Sequence, residues 1–228
     1  MFTLKPRMRL RITTATIVLA VLASTGIATA TVVVYNSAFK SKTEFRAVQK
    51  FEGGKPCRKF WRGKKSFGIE VKKGPLQCDF RTPVTGDSKE PDHEIQASAA
   101  VLKSTAKRVR RDAYVGVALR ADQSSRYELR VFPHRGEWEL RRRPNGAGFP
   151  LEGTEQGIGG IGKRNKLKLR AFGDRVTAIV NDATVVDQVR DPDSGDLNGR
   201  KTLIVGGGGA KSGKSAEAYF RNVRVRVP

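Results

Sequence analysis

Two cysteines, two histidines, two methionines and two tryptophans in 228 residues leave little material for chemistry that depends on soft ligands. A soft-metal centre built from Cys and His has no ligand set here. Glycine (24) and proline (10) are present but follow no triplet period, which excludes collagen. Only one long apolar run exists, so a polytopic membrane protein is excluded as well. Acidic residues are scarce: 22 Asp and Glu stand against 44 Lys and Arg, a net charge of +22. That surplus predicts polyanionic neighbours and says nothing about fold. Apolar residues amount to 38%, a low share, yet 11 Phe and 4 Tyr still provide for a core.

Lys5, Arg7, Arg9 and Arg11 precede a stretch from Ile12 to Phe39 that carries no charge. A basic head before an apolar run is the pattern of an export signal, its basic end kept in the cytoplasm. Ala28-Thr29-Ala30 fits a small-x-small cleavage site. Against cleavage, the run resumes with Val32-Val33-Val34-Tyr35, and Ile12 to Tyr35 is long enough to cross a ~30 Å hydrocarbon layer as a helix. Both readings stand: residues 1–36 are a signal peptide or a signal anchor, residues 37–48 a linker, and residues 49–228 a folded domain outside the cell. A membrane is then a partner only if the leader stays attached. In an exported chain Cys57 and Cys78 are expected to pair with each other. A catalytic thiol with His93 or His134 lacks any local signature.

From Lys40 onward the patterning has a period of two. Short apolar pieces at Phe67–Val71 and Pro75–Phe80 sit between Gly-Lys turns. Ile95, Ala97, Ala99 and Val101 alternate, and so do Val115, Val117 and Leu119. In Arg126–Phe132, Tyr127, Leu129 and Val131 face one way and Arg126, Glu128 and Arg130 the other. Glu137–Arg143, Lys166–Phe172, Val176–Val180, Thr184–Val189, Thr202–Val205 and Ala218–Val227 continue the pattern, with turns at Gly173-Asp174 and Asn181-Asp182. Lys103 to Arg111 reads as a solvated basic loop. Many short strands, and no helix beyond an N-terminal hydrophobic one, predict an all-β, two-sheet antiparallel sandwich or barrel.

Tyr114-Val115-Gly116-Val117-Ala118-Leu119-Arg120, then Tyr127–Val131 and Trp138-Glu139-Leu140, resemble the middle of a concanavalin A-like (laminin G-like) jelly-roll domain. The similarity continues through Asn165–Asn181 and closes with Ala218-Tyr219-Phe220-Arg221-Asn222-Val223-Arg224-Val225. Asp182 follows Asn181 where that family often has Gly. The resemblance implies a jelly roll with one curved sheet, whose concave side often binds glycans. The family holds lectins, glucanases, keto-glycoside hydrolases and non-catalytic modules of bacterial surfaces, so fold alone selects no function.

Gly208 to Ser215 satisfies the phosphate-loop pattern, but a helix must follow it, and Ala216–Val227 alternates like a strand. Glu90, Asp92 and Glu94 are spaced like the carboxylates of a laminarinase-type glucanase strand, although Pro91 would remove a ladder donor inside it. Asp191, Asp193 and Asp196 form the densest acidic cluster and are the candidates for Ca²⁺, in a spacing that is not an EF-hand. No other cofactor is expected. Trp61, between Lys59 and Arg62, is the candidate exposed ring for stacking on a sugar. Lys166, Lys168 and Arg170 share one strand side, as do Arg126 and Arg130. Rows of like charge repel themselves, so they point to an anionic ligand or surface. The expected function is a non-catalytic extracellular module for carbohydrate or an anionic surface polymer. The alternatives are a jelly-roll glycoside hydrolase and an extracellular nucleic-acid or polyanion binder, the latter without a recognition helix or aromatic RNA-binding motif.

Overall fold

The computed structural model describes residues 32–52, 56–61, 66–72, 74–83, 92–122, 124–146, 148–197, 201–210 and 215–227. Among the described residues fifteen strands form two antiparallel sheets: β1 (Val32–Ser37), β2 (Gln49–Glu52), β3 (Cys57–Trp61), β4 (Phe67–Val71), β5 (Gly74–Arg81), β6 (His93–Val101), β7 (Tyr114–Ala121), β8 (Arg126–Phe132), β9 (Glu137–Arg143), β10 (Leu151–Thr154), β11 (Asn165–Phe172), β12 (Arg175–Val180), β13 (Ala183–Arg190), β14 (Lys201–Ala210) and β15 (Ala216–Val227). The eight-stranded sheet runs β13-β12-β11-β6-β15-β4-β3, with β1 beside the C-terminal half of β15. The seven-stranded sheet runs β10-β9-β8-β7-β14-β5-β2.

Alternation sets which side chains go between the layers. Val115, Val117 and Leu119 meet Tyr127, Leu129 and Val131 from one sheet, and Ile95, Ala97, Leu167, Leu169, Val223 and Val225 from the other, in one buried cluster. Trp138 belongs to that core, as its sharing a face with Leu140 predicts. The glycines of β14 answer to close approach. A Cβ on Gly208 would stand 2.7 Å from Ala216 of the facing sheet, and one on Gly207 would stand 2.2 Å from the Tyr114 ring. The phosphate-loop pattern therefore begins inside a strand and is followed by the strand β15, not by the helix that phosphate binding requires. Lys211–Lys214 lie outside the described residues.

Two expectations need correction at the N-terminus. The anticipated hydrophobic helix falls largely on residues 1–31, outside the described part, but its last residues, Val32–Tyr35, belong to β1, paired with Val223–Val227. β-branched valines beside an open ladder favour this strand over a helical end. Among the described residues no helix is long and apolar enough to cross a membrane. The segment read as a linker is packed: Phe39 and Val48 are buried, and Ser41 caps a one-and-a-half-turn helix, α1 (Lys42–Ala47), by accepting from the Glu44 amide. The sandwich thus starts at β1.

Cys57 and Cys78 form a disulfide joining β3 of one sheet to β5 of the other. Closing a loop of this length restricts the unfolded chain by about 3 kcal/mol on the entropy model. Equilibrium denaturation with and without reductant should show a loss of about that size, and an unchanged midpoint would refute it.

Candidate functional site

The outer face of the seven-stranded sheet carries an enclosed polar cluster. On β8, Arg126, Glu128 and Arg130 point away from the core, yet each is buried. β5 contributes Gln77 and the fully buried Asp79, and β9 contributes Glu139 and Arg141. Arg126 donates to Asp79 at 2.6 Å and lies 3.2 Å from Glu128, which Arg130 holds at 2.5 Å. Gln77 knits them together: its Nε2 donates to Asp79 and to Glu128 at 2.8 Å each, and its Oε1 accepts from Arg130 at 2.7 Å. Glu139 lies between Arg130 (3.7 Å) and Arg141 (3.4 Å). The strand register explains this lattice, since Arg130 faces Glu139 and Glu128 faces Arg141 across the β8–β9 ladder.

An aromatic and aliphatic floor adjoins it. Arg130 stands 4.6 Å over the Tyr114 ring, which packs on Phe132, with Leu203, Val205 and Ala118 beside them. Gly207 makes room for that ring. At the β8–β9 edge, Arg126, Glu128, Arg130, Arg141, Arg143 and Asn145 border a small pocket of about 50 Å³.

The two carboxylates differ in proton affinity. Burial, and then the neighbouring Glu128 charge, push the Asp79 carboxyl up to about 7. Burial acts the same way on Glu128, but Arg130 and Arg126 outweigh it and hold that group below the usual carboxylate range.

A second buried polar chain closes one end of the sandwich. Arg120, at a positive φ of 48° that breaks the alternation of β7, turns toward Asp92 at 2.7 Å and stands over the Tyr127 ring. The Tyr127 hydroxyl donates to Asp191, and Arg142 reaches the same carboxylate at 2.7 Å. Burial and the Asp191 charge push the Tyr127 hydroxyl pKa well above its ordinary value.

The structure distributes the sequence candidates over both sheets. Arg126 and Arg130 are not an exposed cationic row, because Glu128 stands between them and Asp79 compensates them. Lys166, Lys168 and Arg170 lie on the other sheet: Lys166 pairs with Asp182, and Arg170 with Glu94, which also takes Arg226. Asp92 accepts from Arg120 and from the Gly173 amide, so neither Asp92 nor Glu94 joins the seven-stranded face, and Glu90 lies outside the described residues. Asp191 faces inward to Arg142, and Asp193 donates its amide to Asp191. The Asp196 side chain lies outside the described part, and no group of three potential metal-binding side chains occurs among the described residues. Trp61 is half-buried, edge-on to Phe45. Gln77, Asp79, Glu139 and Arg141 escaped sequence reading. The available signal was the repeated alternation of acid and base in Arg126-Glu128-Arg130 and Glu137-Glu139-Arg141.

No protein-family model matches the chain, and no curated protein matches it in sequence. Solved structures do. The carbohydrate binding module CBM66 from Bacillus subtilis superposes at a TM-score of 0.53 and 16% identity, over 79% of this chain and 96% of that one. A Bacillus subtilis protein of unknown function with a galectin-like fold gives 0.57 at 14% identity, over 86% and 96%. The laminarinase from Flavobacterium sp. UMI-01 gives 0.56 at 11%, over 86% and 100%. The fold is a jelly-roll sandwich. At these identities the likeness establishes architecture alone.

Two outcomes test the chemistry of the buried groups. Arg142→Met leaves Asp191 without its guanidinium and should cost about 3–5 kcal/mol in urea unfolding; a cost below 1 kcal/mol would sink the pairing. For Asp79, the native state keeps a proton up to about 7 that the unfolded chain releases near ~4. Its contribution to stability therefore falls as pH rises through that window. Asp79→Asn should remove this falling component, and identical slopes in both proteins would refute it.

Proposed function

We propose that this protein is an extracellular, non-catalytic glycan-binding module that reads neutral sugar on the outer face of the seven-stranded sheet. The carrying observation is the compensated lattice there: Arg126, Arg130 and Arg141 are matched by Asp79, Glu128 and Glu139 beside the Tyr114 floor. The half-buried Glu139 and Arg141 at the rim offer an acceptor and donors to sugar hydroxyls, held in place on a rigid strand by the buried pairs beneath them. The likeness in fold to the carbohydrate binding module CBM66 supports the reading. The basic leader and the disulfide support export.

A hydrolase is the second reading, favoured by the diverging proton affinities of Asp79 and Glu128, an acid–base signature. Against it, both carboxylates are buried and share Arg126 and Gln77, so neither has a clear path to an anomeric carbon.

Calorimetry of the full chain against a panel of soluble neutral glycans should find a binder whose affinity falls tenfold or more in Arg141→Gln, a rim substitution that leaves the buried pairs intact. A reducing-sugar assay on the same panel should stay flat. Turnover that disappears in Glu128→Gln would replace the module with the enzyme, and a panel with no binder would remove both.

A further inference from the structure

The eight-stranded sheet presents a different chemistry on its outer face. There Arg221 faces Ser98, which faces Lys166; two residues further along β6, Gln96 is flanked by Arg224 and Lys168. At one end of these rows lies an open pocket of about 340 Å³, bordered by Ser66, Lys103, Ser104, Gly162, Tyr219 and Arg221.

The pocket is built by several elements. β15 carries a bulge between Arg221 and Arg224, with Asn222 at a φ of 50°, and this irregularity shifts the alternation so that Val223 turns into the core and Arg224 returns to the face that carries Arg221. Arg221 stands 5.8 Å from the Tyr219 ring, and Arg164 donates to the Tyr219 hydroxyl at 3.2 Å. The loop after β6 is pinned by the Leu102 amide on the Glu217 carbonyl (2.7 Å) and by Arg110 on the Lys103 carbonyl (2.6 Å). Gly162, at a φ of 84°, lets the Lys103 stem lie against the neighbouring loop, for a Cβ there would stand 2.8 Å from Lys103 Cγ.

Cations outnumber acids at this place. Lys103 and Arg221 border it and Arg164 holds the Tyr219 hydroxyl, and no ion pair occupies these three among the described residues. No carboxylate is among the bordering residues, and the neighbouring Glu217 accepts from the Ser104 hydroxyl. Arg221 Nε is buried and finds no hydrogen-bond partner among the described residues. A buried guanidinium N–H without an acceptor is costly, and an incoming oxyanion would relieve it.

We propose that this pocket is a second binding site, independent of the neutral-sugar reading, for an acidic sugar residue of an anionic polysaccharide. Arg221 and Lys103 take the carboxylate, Tyr219 lies along the sugar ring, and Arg224 and Lys168 attract the next charged residues of the chain. Strand geometry spaces the successive rows by about 7 Å, so a polymer extended along β15 meets them in turn. The ring beside the cations favours a sugar acid over bare phosphate.

The test measures affinity of the full chain at 0.15 M salt for polygalacturonate and for its fully methyl-esterified form. The acid form should bind at least tenfold more tightly. Arg221→Gln should weaken that binding tenfold or more, Lys103→Gln at least threefold, and Tyr219→Leu more than Tyr219→Phe. Arg175→Gln, an exposed charge on the same sheet outside the pocket, should leave it unchanged. Equal losses in Arg175→Gln and Arg221→Gln would reduce the effect to diffuse charge and overturn the site. Single-stranded DNA binding as tightly, with the same dependence on Arg221, would overturn the sugar-acid assignment. Should Arg221→Gln fail to fold, an unaltered affinity in Lys103→Gln refutes the proposal by itself.

Discussion

A guanidinium taken out of water must meet a carboxylate, and much of this structure follows from that requirement. Among the described residues Arg120, Arg126, Arg130 and Arg142 are buried. Each draws an acid to it: Asp92, Asp79, Glu128 and Asp191. In a chain with half as many acids as bases, every acid committed in this way is lost to the exposed surface. The buried pairs and the cationic exterior are two results of one imbalance.

The consequence is a molecule with two unlike faces. On the seven-stranded sheet acids and bases alternate across β8 and β9, charges cancel over a few ångströms, and what remains is a rigid set of hydrogen-bonding groups beside an aromatic floor. On the eight-stranded sheet Glu94 and Asp182 answer Arg170, Arg226 and Lys166, and among the described residues Arg221 and Arg224 have no ion pair. The first arrangement suits a ligand of many dipoles and the second a ligand of repeated negative charge. Polysaccharides supply both.

Packing between the sheets explains features that motif reading would assign to chemistry. The glycine run of β14 resembles a phosphate-binding loop in the linear sequence, but Gly207 is under Tyr114 and Gly208 is against Ala216, where any side chain would collide. Tyr114 then supports Arg130. A glycine chosen for close approach in one strand thus sets the height of a guanidinium two strands away. Arg120 shows a comparable effect. The positive φ at that residue swings it from the outer face to the end of the core, where it joins Asp92 and Tyr127.

From β4 onward every strand except β10 was legible, at least in part, because a half-buried sheet writes a period of two into its sequence. β4, β8 and β9 coincide with the expected segments, and β6, β7, β11, β12 and β13 differ by a residue or so at their ends. β1, β2, β3, β10 and α1 were not legible, being short or rich in charge, with their partners far away in the chain. The disulfide could be expected from two cysteines in an exported chain, and the structure contains it. By itself the sequence determined the layered all-β architecture, since alternation depends only on neighbouring residues. The tertiary structure alone decided which charges are cancelled and which remain, because Asp79 and Arg126, or Arg221 and Lys103, are brought together by strand order and not by spacing along the chain.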